Sequence, residues 1–373
     1  MTTDARGLYV HIPFCVRKCN YCDFCSFKLS AVDWRDKYID RLCDEIGSYK
    51  GQNIGIDSLF FGGGTPSLLT PTEFLRIVET IKESFRILPG AEFTVEANPK
   101  TLDGEKLAAF VKAGVNRLSI GLQSIHENEL KILGRIHTFE DFLASYKLAR
   151  EYGIDNVNID LMYGIPEQTI DSFEETLRTV LSLSPEHISL YGLILEEGTP
   201  LFEKRDEIVF PPEDTECDMY YLAAKRLSDA GYSHYEISNY ARADRQCRHN
   251  LKYWRSEEYI GVGLSAYSYF DGRRFGNFAH VEEYLNQAVE QYSHTEPLDK
   301  DSVAYEYVML RLRLSEGFSL AEYKKLFGKD FLLGREALIN RLTDGGYMEI
   351  RDDRLSLTER GLYVSNSILT ELI

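Results

Sequence analysis

Six times in the first half of the chain a short apolar run is followed by a longer amphipathic one, and this alternation limits the fold more than any other feature. The strand-like runs are Leu8–Ile12, Ser58–Phe61, Glu92–Ala97, Arg117–Gly121, Asn156–Leu161 and His187–Tyr191. Between them, stretches such as Phe74–Phe85 carry apolar residues near helical spacing. Thr70-Pro71-Thr72-Glu73 opens that helix with an N-cap, a proline in the first turn and the glutamate of a capping box. Strands separated by helices need crossover connections and so pair in parallel. Six such units predict an α/β fold, a partial (β/α)6 TIM-like barrel.

A barrel of this kind gathers its functional groups at the C-terminal ends of the strands. Cysteines follow the first predicted strand, and Gly62-Gly63-Gly64-Thr65-Pro66 follows the second. The third ends with Glu96, the fourth with Gln123, and the fifth contains Asp160. The recurrence predicts that these residues share one site.

From about Tyr232 to Tyr269 the pattern becomes aromatic-rich and irregular, and polar Glu290–Asp301 reads as a linker. The last segment reads as a small helical domain resembling a winged helix. Ser319 and Glu322 are spaced as a capping box, and Gly345-Gly346 precedes two short strands, Met348–Ile350 and Leu355–Leu357. The expected division is a core over 1–231, an extension over 232–289, and a linker with a C-terminal domain over 290–373. Winged helices often bind DNA, but 42 basic against 59 acidic residues leave a net charge of −17. That balance argues against a nucleic-acid partner and favours a packing or lid role for this domain. No run approaches the roughly 20 apolar residues of a membrane span. Peripheral membrane contact through a partner and a homodimer both stay open.

Four of the seven cysteines lie between positions 15 and 25. The count is odd for a disulfide framework and no signal peptide is visible, so a reducing, cytoplasmic setting and a metal site are expected. Cys15, Cys19 and Cys22 have the spacing C-x3-C-x2-C. Three thiolates from one loop can hold three irons of a [4Fe–4S] cluster and leave the fourth open to a small molecule. The alternative, a closed structural zinc, usually draws ligand pairs from separate loops.

The cysteine loop after one strand, with Gly-Gly-Gly-Thr-Pro after the next, resembles the radical S-adenosylmethionine superfamily. The resemblance implies that methionine's amino and carboxylate groups chelate the open iron, and that the reduced cluster cleaves the sulfonium. It is similar in particular to the coproporphyrinogen III dehydrogenase-like branch, over most of residues 8–290. Tyr9–Cys15, Phe61–Pro66, Ser119–Ser124 and Asn158–Pro166 carry that likeness. By this resemblance Tyr9, Gly63, Gly64 and Thr65 belong to the S-adenosylmethionine site. Glu96 binds ribose hydroxyls, and Gln123, Arg135 and Asp160 contact the nucleoside or the methionine. Side-chain-free glycines let backbone carbonyls approach an ammonium group, and an arginine suits a carboxylate.

Two groups share this branch: the dehydrogenases and the HemW-type haem chaperones, which bind haem and deliver it to apoproteins such as respiratory enzymes. Where the dehydrogenases carry a further cysteine two positions after the third ligand, this chain has Phe24, with Cys25 next. Its first strand begins at Leu8 without their longer leader, and His249-Asn250-Leu251-Lys252-Tyr253-Trp254 matches the chaperones' H-N-x-x-Y-W. The expectation is therefore a haem chaperone, with radical machinery present but enzymatic activity open; a coproporphyrinogen III dehydrogenase is the alternative. A zinc-containing interaction protein is the third reading. For haem, His249 is the candidate axial ligand and Cys247 its rival, with Tyr253 and Trp254 as flat apolar surface. A histidine among aromatics also serves as a hydrogen-bonded core residue, and His11 is read so. Cys25 has no assigned role, and Cys43 and Cys217 fall in helical patterns as core residues.

Overall fold

The structure, a computed structural model, describes residues 5–289, 291–297 and 299–372. Six parallel strands run in sequential order: β1 Ala5–Ile12, β2 Gly55–Gly63, β3 Arg86–Ala97, β4 Arg117–Gln123, β5 Val157–Tyr163 and β6 His187–Gly192. Each is paired in parallel with the next. Helices over Arg35–Gly47, Pro71–Ser84, Gly104–Ala113, Phe139–Glu151 and Ile170–Ser182 make the crossovers. The Thr70–Glu73 capping box is formed, with Glu73 N–H donating to Thr70 Oγ1 and Thr70 N–H to the Glu73 carboxylate. Leu118, Ile120, Ile159 and Leu161 belong to one apolar core, which takes in Phe74, Phe110, Phe142 and Phe173 from those helices.

The region expected to be irregular is built into the same sheet. β7 Ser233–Glu236 and β8 Asn239–Ala241 form a hairpin whose second strand runs antiparallel to β6. β9 Tyr259–Val262 is a seventh parallel strand, in register with Gly7–Val10 of β1. β10 Tyr267–Phe270, β11 Arg273–Gly276 and β12 His294–Pro297 extend that edge antiparallel. The order is linear, from β12 at one edge to β7 at the other, so the barrel is partial. The expected linker thus contains an edge strand and the start of a helix, Lys300–Arg311; Glu290 and Leu298 lie outside the described residues. Its polarity suits a sheet edge, which has one exposed side.

The C-terminal part has its own core, with Tyr307, Phe318, Phe331, Leu355 and Leu362 among its members. A three-stranded sheet orders Phe318–Ser319, Arg354–Leu357 and Met348–Arg351 beside the helices Leu320–Phe327 and Glu336–Asp344. Ser319 accepts from the N–H of Glu322 as expected, but the reciprocal half of the box is replaced. Asp353 accepts from the Ser319 hydroxyl and from Ala321 N–H. This domain joins the barrel through β7, where Ile237 N–H donates to Arg313 O and Ser315 N–H to Tyr235 O.

Glu45, on the first helix, ties the extension to the barrel. Its buried carboxylate accepts from Asn277 Nδ2 at 2.6 Å, Tyr284 OH at 2.7 Å and Gly263 N–H at 3.2 Å, with Arg41 at 3.8 Å. Glu45→Ala leaves a buried guanidinium and three donors without this partner. It is expected to cost about 3–5 kcal/mol, read as a lower urea midpoint.

Candidate functional site

Side chains alternate across a strand, and here the alternation makes the interior polar. Arg117, Ser119, Gly121 and Gln123 of β4 face a central cavity of about 510 Å³, while Leu118, Ile120 and Leu122 face the helices. On β5 the inward row is Asn158, Asp160 and Met162, and on β6 Ser189 and Tyr191. Glu96 and Asn98 complete the row from β3 and the turn after it.

Cys15, Cys19 and Cys22 line this same cavity, together with Gly63, Gly64, Thr65, Glu96, Gln123, Arg135 and Asp160. Asn20 pins the cysteine loop: its N–H donates to Leu133 O and its Nδ2 to Ile132 O. Thr65 Oγ1 lies 3.6 Å from Cys15 Sγ, and Arg135 Nη1 lies 3.4 Å from Cys19 Sγ. The glycines bring the second strand's end against the loop. At Gly63, where φ is +108°, a Cβ would sit 2.6 Å from the His11 ring, and at Gly64 it would sit 2.7 Å from Phe14 O. His11 is structural, bonded to Tyr9 OH and to Cys25 O.

Arg135 donates to Asn98 Oδ1 at 2.5 Å and to Gly121 O at 2.6 Å. Burial works against its charge, but Tyr21 and Cys19 outweigh that and hold it firmly protonated. Burial pushes Glu96 up to about 8, with Asp160 adding repulsion. Asp160 is raised by burial as well, against donors from Asn158 at 2.7 Å and Ser119 at 3.3 Å. Gln123 holds φ at +71° where the β4–β5 register shifts, a strained backbone that aims its side chain inward. Burial raises the thiol pKa of Cys15 and pushes Cys22 up to about 11, so these thiols are protonated until a metal displaces the proton. Among the described residues no three His, Cys, Asp or Glu side chains close on one point as ligands of a single ion. Cys15, Cys19 and Cys22 on the wall of one chamber are the residues that would hold a metal cluster there.

The remaining candidates divide. Tyr9 lines a second cavity of about 480 Å³, which shares Phe24, Gly63, Glu96 and Tyr253 with the first. The H-N-x-x-Y-W segment is the helix Arg248–Trp254, whose first N–H groups at Arg248 and His249 are capped by Glu92 from β3. Asn250 and Tyr253, three apart, face the central cavity. His249 is buried and lines neither cavity. Its Nδ1 lies 3.1 Å from Ser58 Oγ, its Nε2 lies 2.8 Å from Tyr253 OH, and its ring stacks on Phe60. Burial, then Lys252, pushes it down to about 3, so it is neutral with both nitrogens engaged. Cys247 is fully buried with its thiol toward Glu92, and Trp254 packs on Leu251, Leu314, Tyr235 and Ala241. In this arrangement neither His249 nor Cys247 presents a donor to a cavity, because each is already a partner within the core. Arg117 and Asn98 also line this cavity, and so do Ser119, Asn158 and Asn250, which lie in quoted motifs but have no role assigned from sequence; the spacing Arg117-x-Ser119-x-Gly121-x-Gln123 is the available signal.

Residues 9–180 match the family model of the Radical SAM superfamily, and residues 298–364 match that of the HemN C-terminal domain. The backbone is similar, with a TM-score of 0.86, to a solved Escherichia coli coproporphyrinogen III oxidase (HemN), described as a radical SAM enzyme. That likeness covers 100% of this chain and 91% of the other at 24% identity, and speaks to the fold. The architecture is therefore a radical SAM-like core with a HemN-type C-terminal domain. The chain is 32% identical over 371 residues to the heme chaperone HemW of Bacillus subtilis (strain 168), covering 97% of this chain and 98% of that one. It is 35% identical to the heme chaperone HemW of Escherichia coli (strain K12), covering 97% of each. The chain belongs to the HemW family.

The buried Glu96 makes stability pH-dependent. Its pKa rises on folding, so the folded chain holds the proton more tightly than the unfolded one between about pH 4.5 and about pH 8. Stability conferred by that proton is present below this window and lost as pH rises through it. Glu96→Gln is expected to flatten the fall, seen as a smaller change in the urea midpoint of the cluster-free protein across the window.

Proposed function

We propose that this chain binds haem and hands it to haem proteins, respiratory-chain enzymes among them, from a core that carries a [4Fe–4S] cluster and S-adenosylmethionine. The observation that carries this reading is kinship along nearly the whole length with proteins named heme chaperones. A cytoplasmic location goes with the proposal; among the described residues no helix is long and apolar enough to cross a membrane.

Cys15, Cys19 and Cys22 would hold the cluster, which when bound supplies an electron to a sulfonium at its open iron. Their shared cavity supports this, since three thiols on the wall of one chamber suit a polynuclear group better than a closed zinc site. Gly63, Gly64 and Thr65 offer backbone to the methionine ammonium. Arg135, charged and anchored on Asn98, suits the methionine carboxylate, and the Glu96 carboxyl, which burial keeps protonated at neutral pH, suits a ribose diol as one donor and one acceptor. Gln123 and Asp160 orient the nucleoside. Within the H-N-x-x-Y-W helix, Tyr253 is the member that reaches both cavities, and His249 positions its hydroxyl.

The test is an anaerobic titration of cluster-loaded protein with haem, expected to saturate at one haem per chain. Failure to saturate, together with turnover of coproporphyrinogen III, would sink the chaperone reading in favour of a dehydrogenase. Separately, Cys15→Ala, Cys19→Ala and Cys22→Ala should each abolish the cluster's broad visible absorbance, whereas Cys25→Ala should retain it. Loss in the Cys25 variant would show the ligand set to be wrong.

A further inference from the structure

The second cavity adjoins the first across Phe24, Gly63, Glu96 and Tyr253 but contains none of Cys15, Cys19 and Cys22, and its walls are unusual for a surface recess. Tyr9, Tyr253, Tyr259 and Tyr267 line it with Phe24, His11, Glu96 and Cys25. Two of those rings stand largely at the surface: Phe24 is 62% exposed and Tyr267, lying against Gly276, is 56% exposed. Its volume of about 480 Å³ falls within the range of small-molecule sites. Planar aromatic walls suit a flat, apolar macrocycle.

We infer that this chamber is the seat of the haem, with Tyr267 and Phe24 against the macrocycle and Cys25 Sγ bonded to the iron. The inference rests on the chaperone reading and deepens it by naming a place and a ligand. Cys25 is suited to that position in three ways. Thiolate is an established proximal ligand of haem iron. Among the described residues its Sγ has one weak polar contact, 3.8 Å to Ala279 O, which leaves the sulfur lone pairs available. Its backbone is held by His11, whose Nε2 lies 2.8 Å from Cys25 O, so the thiol stands on a fixed wall. Binding forms an S–Fe bond and breaks the S–H bond, with the proton passing to solvent and no change in oxidation state of ferric iron. Burial disfavours the thiolate and the nearby Lys18 ammonium offsets part of that cost, while the metal itself supplies the larger drive. By contrast, the two donors of the neighbouring helix, His249 and Cys247, are both committed inside the core.

Ferric haem is titrated into cluster-loaded wild type, Cys25→Ser and Tyr267→Ala, with iron-free protoporphyrin IX as the comparison and circular dichroism as the check of folding. The wild type is expected to show a thiolate-type spectrum. Cys25→Ser should move the Soret maximum and weaken binding about tenfold or more. Tyr267→Ala, at an exposed ring, should weaken binding severalfold with the spectrum unmoved. Unchanged spectrum and affinity in Cys25→Ser would overturn the assignment while leaving the chaperone reading intact. Iron-free porphyrin binding as tightly as haem would overturn the iron–sulfur bond. Absence of saturable haem binding in the wild type would remove the chaperone reading and this inference together.

Discussion

Arg117 and Arg135 share one buried chamber with Glu96 and Asp160, and the need to keep those charges compensated governs the architecture around them. A barrel interior is ordinarily filled by branched apolar side chains in layers. Here the inward positions of β4, β5 and β6 are given to polar groups, so the interior becomes a cavity rather than a packed core. A buried charge is tolerated only where it is paired or hydrogen-bonded: Arg135 donates to Asn98 in the turn after β3, and Asp160 accepts from Ser119 on β4 and from Asn158, two residues before it on β5. Stability comes instead from the outer faces, where the alternate residues meet the helices.

The same strand alternation decides what the sequence reveals. Strand and helix order is legible because the outward residues are uniformly apolar and the helices carry clear caps, as at Thr70–Glu73. Cys15, Cys19 and Cys22 are legible by spacing, and Glu96 and Gln123 by position at strand ends, whereas Asp160 lies mid-strand because β5 runs on to Tyr163; all line one cavity. Arg117 is hidden because it opens its strand, at the end opposite to where functional groups are sought. The aromatic region after Tyr232 looks irregular because its strands are four residues or shorter, too brief for a period to show. His249 illustrates a different limit. Motif and composition name the residue, but only tertiary packing shows that Ser58, 191 positions away, and Tyr253 occupy its nitrogens.

Glu92 and Glu45 do comparable work at two seams. Each is a carboxylate on a barrel element that accepts from backbone or side-chain donors of the extension: Glu92 at the start of the Arg248–Trp254 helix, Glu45 at Gly263, Asn277 and Tyr284. The extension is thereby fixed by charge-assisted bonds rather than by apolar burial alone. That explains how short elements hold Tyr253 in the wall between two cavities.

β1 pairs on one side with β2 and on the other with β9, so Gly7 lies beside Tyr259 across nearly the length of the barrel chain. Non-local pairing of this kind slows folding, because the intervening chain must be ordered first. On a ribosome moving at roughly 5–20 residues per second, the first strand waits on the order of ten to fifty seconds for its second neighbour. Throughout that wait an apolar strand beside the cysteine loop keeps an open edge, the kind of surface that recruits foreign strands. The N-terminal position of the cysteine loop thus carries a biosynthetic liability that a chain with its cysteines near the final strand would not have.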